Sequence, residues 1–372
     1  MIAESILLKN FRNYLNLSLA LSDGLNIFIG DNAQGKTNIA ETLFLATVGK
    51  SHRTNEDRDF INLNNKECRI KIDFTKLSVK QSIELYFYRD KRKRILINGA
   101  PARQKELVGR FNAVMFSPED MFLIKGAPAL RRKFLDREIS QADPTYYDNL
   151  VKFTRAVTQR NALLKDIREG KSMGSLLAEW DDRFVDYAAK VTAKRLTAVK
   201  KLDAIAEKMQ GQISDNKEEL RIKYGLTELN EISENITAEE LGRIYAETLT
   251  KLRSKDIIRG STSVGPQHDD LIFYINGEVL RSFGSQGQQR TSVLALKLAE
   301  LEFLREETGE YPVLLLDDIM SELDGNRRNK LLNFLQEEKI QTCITATDPM
   351  YFRKNTGKAW QVNQGELTEI TL

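Results

Sequence analysis

The octapeptide Gly30-Asp31-Asn32-Ala33-Gln34-Gly35-Lys36-Thr37 has the spacing G-x-x-x-x-G-K-[ST], and it lies between the apolar run "LNIFI" and the apolar-patterned "NIAETLFLATVG". Strand, glycine-rich loop and helix in that order make a P-loop. The glycines let backbone N–H groups wrap phosphate oxygens, and the helix N-terminus adds partial positive charge. Lys36 then reaches the β and γ phosphates, Thr37 offers its hydroxyl to Mg²⁺, and the cradle extends to Asn38. A second chemical element is Val313-Leu314-Leu315-Leu316-Asp317-Asp318. Four apolar residues read as a buried strand, and two acids leave its carboxyl end, where α/β sheets bind ligands. Asp317 is the expected Mg²⁺ partner. Asp318, one residue on, is placed to act as general base on a water. Two acids could instead merely end a strand at the surface; the P-loop in the same chain favours the chemical reading.

A third stretch, "FGSQGQQR", carries Ser285, Gln286, Gly287 and Gln288 just before the helical pattern "TSVLALKLAELEFL". A serine hydroxyl and glycine N–H groups at a helix start form an anion site. With a complete P-loop already present, a second phosphate cradle for the same nucleotide would be redundant. The densest basic run is "YRDKRKRILINGAPAR", with Arg89, Lys91, Arg92, Lys93 and Arg94 against the single acid Asp90. It reads either as a solvated hairpin or as a phosphate-backbone contact for DNA. Arg12 and Asn13, in "NFRNY", could be a polar turn between two strands.

The elements that must hold these residues fall into blocks. The first 120 residues alternate like strands around one helix, and Asn98-Gly99 has the preference of a type I′ hairpin turn. From about residue 118 the chain becomes rich in helix formers, with no proline between Pro144 and Pro266. There Leu176, Trp180, Phe184, Tyr187, Val191, Ala198, Leu202, Ile205 and Met209 recur on one helical face, which reads as ordinary helix packing. Strands are expected to return around Ile257, with a second Asn-Gly turn at Asn276-Gly277. A helix from about Gln288 to Glu307, the strand "VLLLDD", a helix near Arg327 to Glu338 and the strand "TCITAT" follow.

Composition limits the alternatives. The 372 residues are 41% hydrophobic and 29% charged with net charge +3, and no apolar run reaches the roughly 20 residues that span a bilayer. The N-terminus is interrupted by Glu4, Lys9 and Arg12, unlike a secretory signal. Only Cys68 and Cys343 are present, which leaves no disulfide framework and fits a reducing cytoplasm; His52 and His268 are the only histidines.

The order of P-loop, helical insertion, Ser285-Gln286-Gly287-Gln288, "VLLLDD" and Ser321-Glu322-Leu323-Asp324 resembles ABC-type ATPase heads of the SMC class. With "LKNFRNY", "GKSHR", "SPED" and "LRRKFLD", the chain is similar to the bacterial RecF family of recombination-repair ATPases. That resemblance implies an α/β fold: an ABC-type P-loop head, mixed sheet plus antiparallel β subdomain, made of residues 1–120 with 260–372 and interrupted by a helical arm at 121–259. It implies an ATP-dependent homodimer that binds DNA at gaps and works with RecR to load RecA, with no membrane partner. Within it the serine-glycine signature closes on the other subunit's γ-phosphate, Ser321 to Asp324 form the D-loop crossing that interface, and Arg12 and Asn13 contact nucleotide phosphate. No glutamine stands in "SPED" for the metal-sensing position. Thr347 is the best match to the switch position after the last strand. Asp318 replaces the usual glutamate base, so hydrolysis is expected to be slow, a timer rather than a motor. Readings of another class are a transporter-coupled ABC ATPase and an SMC-like ATPase attached to a nuclease.

Overall fold

The computed structural model describes residues 1–51, 53–54, 56–172, 174–229, 236–352 and 357–371. His52 of the "GKSHR" stretch lies outside the described residues. The chain divides into two compact units, Met1–Asp120 with Leu296–Leu372, and Met121–Ala295.

The first unit holds two six-stranded sheets. One is antiparallel, in the order Tyr14–Ala20, Ile2–Phe11, Glu67–Lys76, Val79–Tyr88, Arg94–Ile97, Ala100–Ala102. Period-two patterning makes it one-sided: Cys68, Ile70, Ile72 and Phe74 are buried, whereas the residues between them reach the surface. Asn98 and Gly99 both take positive φ, 50° and 78°, as the I′ turn requires.

The other sheet runs Glu366–Ile370, Gly357–Asn363, Leu25–Ile29, Thr342–Ala346, Val313–Asp317, Ala113–Phe116. Its last five strands pair in parallel and Glu366–Ile370 pairs antiparallel at the edge. Every residue of Leu25–Ile29, Thr342–Ala346, Val313–Asp317 and Ala113–Phe116 is buried, as expected of parallel strands covered on both faces. Each of these aliphatic side chains contributes roughly 1.5–3 kcal/mol when withdrawn from water. The helix Lys36–Val48 starts at Gly35 and stops at Gly49, whose φ of 67° supports an N–H bond back to Leu45.

The second unit contains the helices Pro128–Ala142, Pro144–Arg168, Leu177–Ser214 and Ala238–Arg259. On the third of these, Phe184, Val191, Ala198, Leu202 and Met209 are buried as the stripe requires, while Leu176 precedes the helix and is exposed. Two local expectations change. The last of these helices continues through Ile257 to Arg259, ending on Gly260 at φ 68°, so strand structure resumes only at Asp270–Ile275. The insertion also holds the strand Leu220–Gly225, which pairs antiparallel with Asp270–Ile275. Residues 260–295 fall in the second compact unit, and this pairing is one of the links that join them to it.

Arg195, 2% exposed, ties this unit together. Its guanidinium is bidentate to Asp136, with both N···O distances 2.9 Å, and donates to Tyr224 Oη at 3.0 Å and the Pro266 carbonyl at 2.7 Å. Tyr146 donates to the same carboxylate. Removing one member of such a buried set leaves the other charge uncompensated. Arg195→Leu should therefore destabilise the protein by about 3–5 kcal/mol, read as a lower urea midpoint, whereas exposed Arg183→Leu should leave it within about 0.5 kcal/mol.

Candidate functional site

A cleft of about 640 Å³ in the first unit is lined by Arg12, Asn13, residues 32–38, Arg53, Asp59, Ile61, Asn62, Leu63, Asp318 and Thr345. The parallel sheet builds it, because the strands ending at Ile29, Ala346 and Asp317 are consecutive neighbours and deliver their carboxyl ends side by side.

The P-loop leaves its strand at Gly30, where a Cβ would stand 2.4 Å from the Val362 carbonyl oxygen. Gly35 combines a φ of 112° with contact to Asn13, whose amide would lie 2.5 Å from any Cβ. Gly30 is required by the close approach of the Val362 backbone, and Gly35 by its positive φ beside the Asn13 amide. Asn13 Nδ2 donates to Gln34 O at 2.8 Å and its Oδ1 accepts from Asn38 Nδ2 at 2.8 Å, so Asn13 clamps both ends of the loop's last turn. Tyr14 Oη donates to Gly35 O at 3.0 Å. Ala33 also sits at positive φ, 65°, which turns the loop around its own centre; Asp31, Asn32 and Ala33 are exposed and Gln34 half-buried.

Lys36 folds back on this loop, donating to Gly30 O at 2.5 Å and Asp31 O at 2.8 Å. Burial holds its pKa below the ordinary lysine value, against the pull of Asp318, Asp317 and Asp31. Thr37 Oγ1 donates to Asp317 Oδ1 at 2.9 Å across 280 residues. Asp318 takes a left-handed backbone, φ 53°. Burial raises its pKa above the usual carboxylate value; Lys36 opposes that rise, and Asp317 and Glu322 add to it.

For Mg²⁺ the fit is favourable. A hydroxyl and a carboxylate converge at 2.9 Å, and the second Asp317 oxygen receives no hydrogen bond among the described residues. One or two oxygen ligands beside phosphates and water are what this ion takes. Among the described residues no cluster of three or more His, Cys, Asp or Glu could hold a metal by itself.

Arg12 reaches the cleft differently from a free cation. It is bidentate to Glu41, with both distances 3.0 Å, and lies over the Phe60 ring. Glu41 is fully buried on the P-loop helix, and it also accepts from Ser51 Oγ at 2.5 Å and faces Arg53 at 3.7 Å. Arg53 belongs to the "GKSHR" stretch, but Glu41 did not stand out in the sequence, since a lone acid on an apolar helix gives no motif; a fully buried carboxylate does demand a cation. Thr345 is likewise new. It lies 1% exposed in the cleft wall, whereas Thr347, two residues on, is exposed and outside the lining. The signal was a hydroxyl inside a fully buried strand, which must find a partner.

The remaining candidates lie elsewhere. Ser285 and Gln288 form a reciprocal cap, Ser285 N to Gln288 Oε1 at 2.9 Å and Gln288 N to Ser285 Oγ at 3.2 Å, at the start of Gln286–Thr308. Ser285, Gln286 and Gly287 are exposed. In Ser321 to Asp324, Ser321 Oγ donates to Asp318 O at 3.0 Å, Leu323 is buried, Asp324 caps the helix Gly325–Glu337, and Ser321 and Glu322 are exposed. Of the basic run, Arg89 is committed to the carbonyls of Ile61, Asn62, Leu63 and Asn65, and so holds a loop that lines the cleft. Lys93 donates to Gly49 O at 2.7 Å, and Lys91 covers the Tyr88 ring. Lys91, Arg92 and Arg94 are exposed. No described helix is long and apolar enough to cross a membrane.

Residues 2–367 match the family RecF/RecN/SMC N terminal domain. The DNA replication and repair protein RecF of Halothermothrix orenii is 42% identical with 99% of each chain covered, and that of Listeria welshimeri is 42% identical over 92% of each. The solved structure of the recombination mediator protein RecF-ATPrS in the RecFOR pathway superposes with a TM-score of 0.92 at 34% identity, covering 100% of this chain and 98% of the other. The RecF-ATP structure gives 0.90 at 35%, covering 99% and 97%. An Smc head bound to the C-terminal winged-helix domain of ScpA shares the fold at a TM-score of 0.57 and 16% identity, covering 100% and 98%. With its P-loop, paired acids and signature stretch in these positions, and with relatives matching along nearly its whole length, the chain belongs to the RecF family.

Proposed function

We propose that the protein binds ATP with Mg²⁺ in the cleft, pairs through that nucleotide with a second copy of itself, and binds DNA in the paired state during recombinational repair. The observation that carries this reading is that Lys36, Thr37 and Asp318 line one cleft, with the buried Asp317 carboxylate bonded to Thr37 behind its wall. Hydrolysis then parts the copies, which makes ATP a ligand of one state and a timer for it. By family, the partner RecR and the loading of RecA at gaps extend the same reading.

In this reading the P-loop N–H groups and the helix N-terminus take the phosphate oxygens. The Lys36 ammonium exchanges the Gly30 and Asp31 carbonyls for the β and γ phosphates. Mg²⁺, when bound beside Thr37 and Asp317, neutralises charge developing on the phosphates. Asp318 takes the proton of the attacking water. An aspartate reaches less far than a glutamate, so the water is held less well and turnover is slow. Ser285 and the Gly287 N–H close on the γ-phosphate bound by the other copy, with Ser321 to Asp324 beside them. Lys91, Arg92 and Arg94 are the first DNA contacts to test.

Light scattering after gel filtration should show a monomer without nucleotide and a dimer under saturating Mg²⁺-ATP; a monomer in both conditions refutes the pairing. Ser285→Arg should remain monomeric while binding ATP as the parent does. Lys36→Ala removes charge-assisted hydrogen bonds of about 3 kcal/mol in total, so ATP affinity should fall roughly 100-fold, and ATP-dependent DNA retention with it. Asp318 works only when ionised, and its raised pKa moves the acid-side loss of hydrolysis to a higher pH than the about 3.9 of an ordinary aspartate. Single-turnover rates measured against pH should fall on the acid side while ATP stays bound, and Asp318→Asn should leave a low, flat profile.

A further inference from the structure

Thr345 occupies a position that the P-loop and the paired acids do not explain. Its strand, Thr342–Ala346, lies between the strand that feeds the P-loop and the strand that carries the acids, and Thr345 is in register with Asp317. The side chain is 1% exposed, and the residue lines the cleft. Its hydroxyl does two jobs at once. It donates to Asp317 Oδ1 at 2.7 Å, and it accepts from the Asp318 backbone N–H at 2.9 Å. That N–H has only a longer second partner, the Thr345 carbonyl at 3.2 Å.

We infer that Thr345 is a positioning residue which sets both acids from one oxygen: it fixes the rotation of the Asp317 carboxylate and pins the left-handed turn at Asp318. This inference rests on the proposed nucleotide site. Two hydroxyl donors, Thr37 and Thr345, fall on the same oxygen of Asp317. Together they fix the plane of the carboxylate and leave its other oxygen directed by geometry rather than by rotation. A Thr37 hydroxyl that gave a lone pair to a cation would keep its O–H for Asp317, and Thr345 is the second donor that holds the same oxygen. At Asp318 a non-glycine residue holds φ 53°, a conformation that persists only where surroundings over-determine it. The bond from its N–H to Thr345 Oγ1 is part of that determination, and it aims the Asp318 carboxylate. A hydroxyl acting on metal affinity through Asp317 and on proton removal through Asp318 should therefore affect both, while leaving the P-loop's hold on phosphate alone.

The test uses the full chain with Thr345→Val, Thr345→Ala and Thr345→Ser, and three measurements with ATP: affinity in EDTA, the Mg²⁺ concentration for half-maximal single-turnover hydrolysis, and the limiting rate. Val keeps the shape and loses the hydroxyl; Ser keeps the hydroxyl and loses the methyl group. Val and Ala should each raise the half-saturating Mg²⁺ roughly tenfold and lower the limiting rate by a similar factor, the usual effect of one lost hydrogen bond to a charged group, with EDTA affinity unchanged. Ser should restore both values. A Val variant with the parent's Mg²⁺ dependence and rate overturns the inference, as does loss in Ser with retention in Val, which would make packing the cause. A parent protein that binds no ATP refutes the site itself, an outcome distinct from both.

Discussion

Asp317 Oδ1 accepts hydrogen bonds from Thr37 and Thr345, residues that come from opposite ends of the chain, and this meeting depends on the parallel sheet. The strand ending at Ile29 and the strand ending at Asp317 are not hydrogen-bonded to each other; Thr342–Ala346 lies between them and pairs with both. A slip of one residue in either pairing would turn the alternate side chains to the other face and separate the hydroxyls from the carboxylate. The fully buried apolar character of those strands holds the register, since every residue of each has a place in a covered layer.

The same economy of space shapes the loop. Gly30 and Gly35 are pressed against the Val362 carbonyl and the Asn13 amide, so the loop's path is set by neighbouring backbone and side chain before any ligand arrives. Its charges are also held in advance. Lys36 caps two loop carbonyls, and Glu41 holds Arg12 while facing Arg53. In the proposed function a triphosphate would exchange partners with groups already ordered, and the ordering entropy of long side chains would be reduced accordingly.

In the second unit the signature residues serve their own helix first. Ser285 and Gln288 complete a reciprocal cap that satisfies N–H groups at the start of Gln286–Thr308, and Gly287 beside it is exposed. The cap fixes the first turn of that helix, so the residues of the proposed contact across two copies also stabilise their own helix. Farther back, Arg195 joins Asp136, Tyr146, Tyr224 and Pro266. These residues come from three helices, a strand and a loop, which explains why the unit includes segments that sequence patterning assigned to different blocks.

Read as a sequence, the chain already identified its P-loop, the acids at 317 and 318, the Asn-Gly turns and the long helices, because each depends on local rules: phosphate cradles need glycine at fixed offsets, I′ turns need positive φ, and helical faces repeat every three or four residues. The pairing of Leu220–Gly225 with Asp270–Ile275, the burial of Glu41 between Arg12 and Ser51, the use of Arg89 to hold the 61–65 loop, and the place of Thr345 rather than Thr347 in the cleft wall were decided by tertiary structure. Each is a contact between residues far apart in the chain or a matter of where a strand ends. A sequence records which groups are polar or charged, and only the folded sheet decides which of them meet.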